Sequence, residues 1–181
     1  ASSASSSFIS SSSTAHADGP VPGVEHLLAQ VVVPLTAQHP VLLVVLDGMS
    51  FATATELAPE LPGRGWSEIV RSMSPRRGAA IAALPTITEY SRTSLFSGEL
   101  RVGNQQTEKS RFAAVAGGIV FHKDDLRADA GHALPPSVTN TIADPARKLV
   151  GVVLNTIDDA LATAEVDSLR WRLDQIANLS P

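Results

Sequence analysis

The chain has 181 residues, 44% of them hydrophobic and 18% charged, with a net charge of −4 and no cysteine. That length holds one domain of ordinary size with a sizeable core. The acidic balance argues against a phosphate-backbone binder, which shows a basic face. The lack of cysteine excludes a disulfide framework and any thiolate metal site, and it fits a reducing compartment. No apolar run approaches the roughly eighteen residues of a membrane span.

Residues 1–19, "ASSASSSFISSSSTAHADG", are Ser-rich and read as an extended linker that contacts little of the domain. "AHA" imitates a signal-peptidase site but lacks a basic n-region and an apolar h-region. The chain does not begin with Met and stops at "NLSP", so the expectation is a piece of a longer protein, its domain spanning 20–181.

"GVEHLLAQVVVPLTAQ" (23–38) opens as a helix by the spacing of Val24, Leu27, Leu28 and Val31. Val41 to Leu46 is an unbroken apolar run ending on Asp47 and Gly48, and it reads as a central parallel strand covered on both faces. "SFATATELAPEL" is a helix stopped near Pro59 and Pro62. "GAAIAALPT" is a second apolar run, taken as a strand that hands over to "TEYSRTSLFSG", a short helix ending at Gly98. Residues 99–115 are polar and match no element. "GGIVFHKDDLRADAG" reads as a strand entering a short helix. Leu149 to Leu154 is a third apolar run, followed by Asn155, Asp158 and Asp159. "EVDSLRWRLDQIANL" is amphipathic, with Val166, Leu169, Leu173 and Ile176 on one face. Apolar strands alternating with helices predict an α/β fold with a mostly parallel sheet and helices on both faces.

In such sheets ligands collect outside the carboxyl ends of the strands. Asp47 follows the first run, Thr86 and Thr88 the second, and Asn155, Asp158 and Asp159 the third. Their convergence on one edge is the main sign of a site. Each has a plain structural alternative. Asp47 could cap the next helix, with Gly48 easing the turn. Thr88 could cap the helix that begins at Glu89, accepting from the Ser91 amide. The aspartate pair could simply open a helix. The functional reading uses the same places: a hydroxyl at a helix N-terminus meets exposed amides and the positive dipole end, and a metal on Asp47 would depress its pKa. There is no GxGxxG or GKT/GKS, and no GxSxG elbow, since Ser97 follows Leu95 and Phe96. "SPRRG" (74–78) could touch nucleic acid, but two arginines beside a proline and a glycine read first as a solvated loop.

"VLLVVLDGMS", "LPTITEYSRTSLFSG" and "VVLNTIDDAL" resemble the core motifs of PglZ proteins, a branch of the alkaline phosphatase superfamily. With "FHKDDLR" and "GPVPGVEHLLA", the likeness is closest to the PglZ of type 2 BREX phage-defence systems, the phage growth limitation type. "PTxTxxSRxxLFSG" is the most specific of these motifs. The resemblance implies that Asp47 binds metal, that Thr88 is the nucleophile and touches metal, and that Ser91 contacts phosphoryl oxygens. It implies that Asp158, better placed than Asp159, is a further metal ligand, and that Arg92 contacts phosphate unless it serves a structural ion pair. Zinc is the metal the family implies; oxygen-rich ligands would also accept Mn or Mg.

The superfamily completes its two-metal site with a later "DHGH"-like segment. His16, His26, His39, His122 and His132 do not sit in such a motif, and position 160 is Ala. The expectation is therefore half a metal shell and little activity from this chain alone. Two functions stand at this stage. One is a metal-dependent phosphatase or phosphodiesterase domain, cytoplasmic, serving a phage-defence system beside other defence proteins. The other is a non-catalytic scaffold within that defence complex.

Overall fold

This computed structural model describes residues 21–69, 77–127, 134–162 and 171–176. The Ser-rich segment, His132, Val166, Leu169 and most of "SPRRG" lie outside them.

Among the described residues three strands build one parallel sheet: β1 (Val41–Leu46), β2 (Ile119–Phe121) and β3 (Leu149–Leu154), in the order β1-β3-β2. β1 pairs with β3 from Val41↔Leu149 to Leu46↔Leu154, so both strands end at the same level. β2 joins the other side of β3, with Ile119 opposite Val150. The expectation of a central first strand needs correction. Among the described residues β3 is the central strand and all six of its residues are buried, whereas β1 leaves Leu42 40% exposed. An apolar run marks burial on two faces but not the number of strand neighbours.

Helices cover both faces because successive side chains of a strand point to opposite sides. Leu149 and Val153 pack with Leu28, Val32, Phe96, Phe112 and Val120. Val152 and Leu154 pack on the other face with Leu57, Val138, Ile157 and Leu173. The fold is α/β, a parallel sheet with helices on both sides.

The N-terminal helix is less regular than its spacing predicts. A 3-10 turn, Val24–His26, leads into a π segment, Leu28–Val32, and only then into α1 (Val33–Thr36). Pro34 has no N–H to give to the preceding turn, which accounts for the loosened ladder there. α2 (Phe51–Leu57) follows Ser50, whose hydroxyl accepts from the Thr53 amide at 3.1 Å. The cap is thus Ser50, and Asp47 is released from that role.

The run "GAAIAALPT" is not a strand of the sheet. It makes one isolated parallel bridge, Gly23↔Ile81, and Ile81 is 56% exposed. Gly and Ala offer little side-chain surface to bury, so nothing holds this run in the interior. α3 (Thr88–Ser97) begins directly after it and stops at Gly98, whose φ of +68° suits a left-handed cap. α4 (Gln105–Ala116) occupies the stretch that sequence patterning left unplaced; Asn104 caps it through the Thr107 amide at 3.0 Å. α5 (Pro136–Ala143) starts on a proline, and α6 (Thr156–Ala162) carries both Asp158 and Asp159 in its first turn. The amphipathic C-terminal stretch contains a 3-10 turn, Leu173–Gln175, rather than an α-helix over those residues, although Leu173 and Ile176 are buried as its pattern predicts.

Candidate active site

The carboxyl end of the sheet carries the acidic residues. The Asp47 amide donates to the Leu154 carbonyl at 2.9 Å, extending the β1–β3 ladder one step past the strands. The chain then turns at Gly48, with φ +73°. Asp47 Oδ2 accepts from Arg92 Nη1 at 2.7 Å and from Asn155 Nδ2 at 3.0 Å, while Oδ1 meets the Gly48 amide at 3.2 Å. Burial pushes the Asp47 pKa above its ordinary value. Arg92 opposes that shift, and the nearby Asp158 charge adds to it.

Arg92 reaches this edge from α3 with its side chain only 9% exposed. Its Nε donates to both oxygens of Glu108 at 3.1 Å. Glu108, on α4, is fully buried. It also accepts from Thr93 Oγ1 at 3.1 Å and from His122 Nε2 at 2.5 Å. Burial would raise the Glu108 pKa, but the His122 hydrogen bond and the Arg92 charge outweigh it and hold the carboxyl below its usual range. A carboxylate only accepts, so the His122 hydrogen sits on Nε2. The other ring nitrogen, Nδ1, is buried without a partner among the described residues.

The structure treats the predicted residues unevenly. Asp47 and Asp158 come together: Asp158 packs over Gly48, and its charge acts on Asp47. Asp159 turns away to an exposed ion pair with Lys123 at 2.6 Å. Thr88 is the first residue of α3, with Ile87 as its cap residue, so it is not the cap itself; the Ser91 amide bonds the Ile87 carbonyl at 2.8 Å. Thr88 opens a helix that follows no strand of the sheet. It precedes Arg92 by one turn and shares its helix face. The Ser91 hydroxyl accepts from the Ala83 amide at 3.2 Å, which ties it to the incoming chain. Thr86 is exposed, whereas Thr93, Ser94 and Ser97 are buried.

Glu108 and His122 were missed. His122 directly follows an apolar triplet, which was a usable signal. Glu108 sits mid-helix in a polar stretch and gave none.

The donors brought together are the carboxylates of Asp47 and Asp158, oxygen ligands of the kind a hard divalent cation takes. Asp47 keeps one oxygen, Oδ1, that meets only a neighbouring amide. The residues therefore fit a cation in part. Among the described residues, no group of three or more His, Cys, Asp or Glu side chains could hold a metal.

A parallel α/β sheet with helices on both sides and carboxylates at its carboxyl edge is consistent with an alkaline phosphatase-like domain. The model of the BREX system PglZ alkaline phosphatase-like domain matches residues 27–177, and the chain belongs to this family. None of the curated proteins compared with the chain matches it. No described helix is long and apolar enough to cross a membrane.

Proposed function

We propose that this domain hydrolyses phosphoric esters, with Thr88 as the nucleophile, in the cytoplasm and within a multi-protein defence system. The observation that carries this reading is the ion pair between Arg92 and Asp47 at the carboxyl edge of the sheet, one helical turn from Thr88. Thr88 Oγ attacks phosphorus in line, forming an O–P bond as the ester oxygen departs with its electron pair. The Thr88 proton passes to solvent. Water then cleaves the phosphothreonine, releasing phosphate or a phosphomonoester and restoring the hydroxyl. The start of α3 offers amides and the positive dipole end to the transferring group. Arg92 supplies a cation for its charge. Asp47 and Asp158, with Thr88, would hold a divalent cation, zinc by family and Mn or Mg by donor chemistry; when bound it supplies a lowered hydroxyl pKa and charge neutralisation.

The test is turnover of p-nitrophenyl phosphate and its bis ester by the intact protein, with zinc or manganese added. Thr88→Ala should lower turnover by about 10³-fold or more. Turnover that survives this change would place the nucleophile elsewhere.

One observation favours a non-catalytic scaffold instead. Arg92 and Asn155 already engage Asp47 Oδ2, so a cation at that oxygen must displace them. An intact protein that binds no cation and turns over neither ester would establish the scaffold reading.

A further inference from the structure

Behind the candidate site lies a buried pair, Glu108 and His122, that the proposed chemistry does not use. Glu108 is fully buried and His122 is 1% exposed. Glu108 receives three donors: Arg92 Nε, Thr93 Oγ1 and His122 Nε2. His122 is itself held, since its ring lies edge-on to Phe96 at 6.3 Å and its amide donates to Asp125 at 2.9 Å.

The consequence falls on Arg92. A free arginine spreads over many rotamers, and a planar guanidinium is useful only when its orientation is set. Here Glu108 takes Nε and Asp47 takes Nη1. Among the described residues nothing bonds Nη2. A buried ion pair is weak grounds for stability alone, because apolar residues of similar volume often serve as well. This cluster runs outward from the buried interior to the sheet edge, where its last member, Arg92, meets Asp47.

We propose that Glu108, oriented by His122, is a positioning residue that fixes the Arg92 guanidinium against Asp47 and leaves Nη2 for a phosphoryl oxygen. The phosphoryl part rests on the ester hydrolase reading; the fixing of Arg92 does not.

The experiment uses the intact protein labelled with ¹⁵N-arginine and the isosteric change Glu108→Gln. One amide oxygen cannot serve three donors, so Arg92 loses its anchor. The Arg92 Nε–H of the wild type should exchange slowly with solvent, and its Nη signals should be resolved. In Glu108→Gln the Nε–H should exchange about tenfold faster or more, and the Nη signals should merge. If that variant does not fold, His122→Phe, which keeps a ring against Phe96, should shift the same signals in the same direction. Unchanged Arg92 signals in a folded variant would overturn the proposal, since Asp47 alone would then hold the guanidinium. Ester turnover gives the second readout. Arg92→Ala and Glu108→Gln should lower kcat more than they raise KM, and the double variant should be no slower than Arg92→Ala. Additive losses would overturn the proposal. An inactive wild type with the NMR changes present would sink the hydrolase reading and leave the positioning role standing.

Discussion

Gly48 lies directly against Asp158: a β-carbon placed on Gly48 would sit 2.9 Å from the Asp158 Cα and 3.0 Å from its backbone nitrogen. Backbone cannot rotate out of the way, so the turn after β1 and the first turn of α6 touch only because position 48 is glycine. Its φ of +73° adds a second requirement for glycine. Gly48→Ala should lose about 1–2 kcal/mol from backbone strain alone, plus the clash. Gly65→Ala is the control, since φ there is +84° with nothing within 4 Å. Urea unfolding should show the larger loss at position 48. Equal losses would mean that the contact with Asp158 carries no weight.

The two threonines of α3 should separate chemistry from stability. Thr88→Ala should remove ester turnover while changing the melting temperature little, because Ile87 and not Thr88 supplies the cap position. Thr93 is fully buried and donates to Glu108 at 3.1 Å. Thr93→Val keeps its shape and loses that bond, at a cost of about 1.5–3 kcal/mol for a charged acceptor. Most of the turnover should remain. Calorimetry alongside the ester assay checks both halves.

Asp47 carries a pH signature. Burial raises its folded-state pKa above the ordinary value, Asp158 adds to the rise, and Arg92 only partly offsets it. A carboxyl raised in the folded state stabilises the fold while protonated, and that stabilisation is lost as pH rises through the folded-state value. At neutral pH the ionised Asp47 therefore works against the fold. Asp47→Asn should melt at the same temperature as the wild type or higher at pH 7, with the gap closing below the ordinary carboxylate range, while ester turnover is lost. Thermal melts across that range test the sign. A variant clearly less stable at neutral pH would show that the Arg92 pair outweighs the burial of the charge.

Phe112 anchors the α4 face. It is fully buried, meets Phe96 edge-on at 5.2 Å, and covers Gly151, where an added β-carbon would come 3.3 Å from its ring. Phe112→Ala should cost about 3–5 kcal/mol. Phe51→Ala, at a side chain 63% exposed, should stay within about 0.5 kcal/mol. Denaturant unfolding of the two compares them directly.

Local patterning carried the strands that matter most. Val41–Leu46 and Leu149–Leu154 are unbroken apolar runs, and their ends place Asp47 and Asp158 at one edge because the strands pair in parallel and in step. Gly98 stopped α3 where its backbone freedom predicts. The motif "PTITEYSRTSLFSG" carries the resemblance to the family in sequence alone. Other features had no local signal. Which strand is central depends on pairing across more than a hundred residues, which a run of Val and Leu does not encode. "GAAIAALPT" has the apolar character of a strand but not the bulk, and small side chains bury too little to hold a place in a sheet. α4 escaped notice because its buried face includes Glu108, a charged residue that periodicity scores as surface. That carboxylate tolerates the interior only because Arg92, Thr93 and His122 arrive from α3 and from the end of β2 to satisfy it. Burial of a charge depends on partners distant in the chain, so the Arg92–Glu108–His122 cluster came into view only once the helices were packed on the sheet.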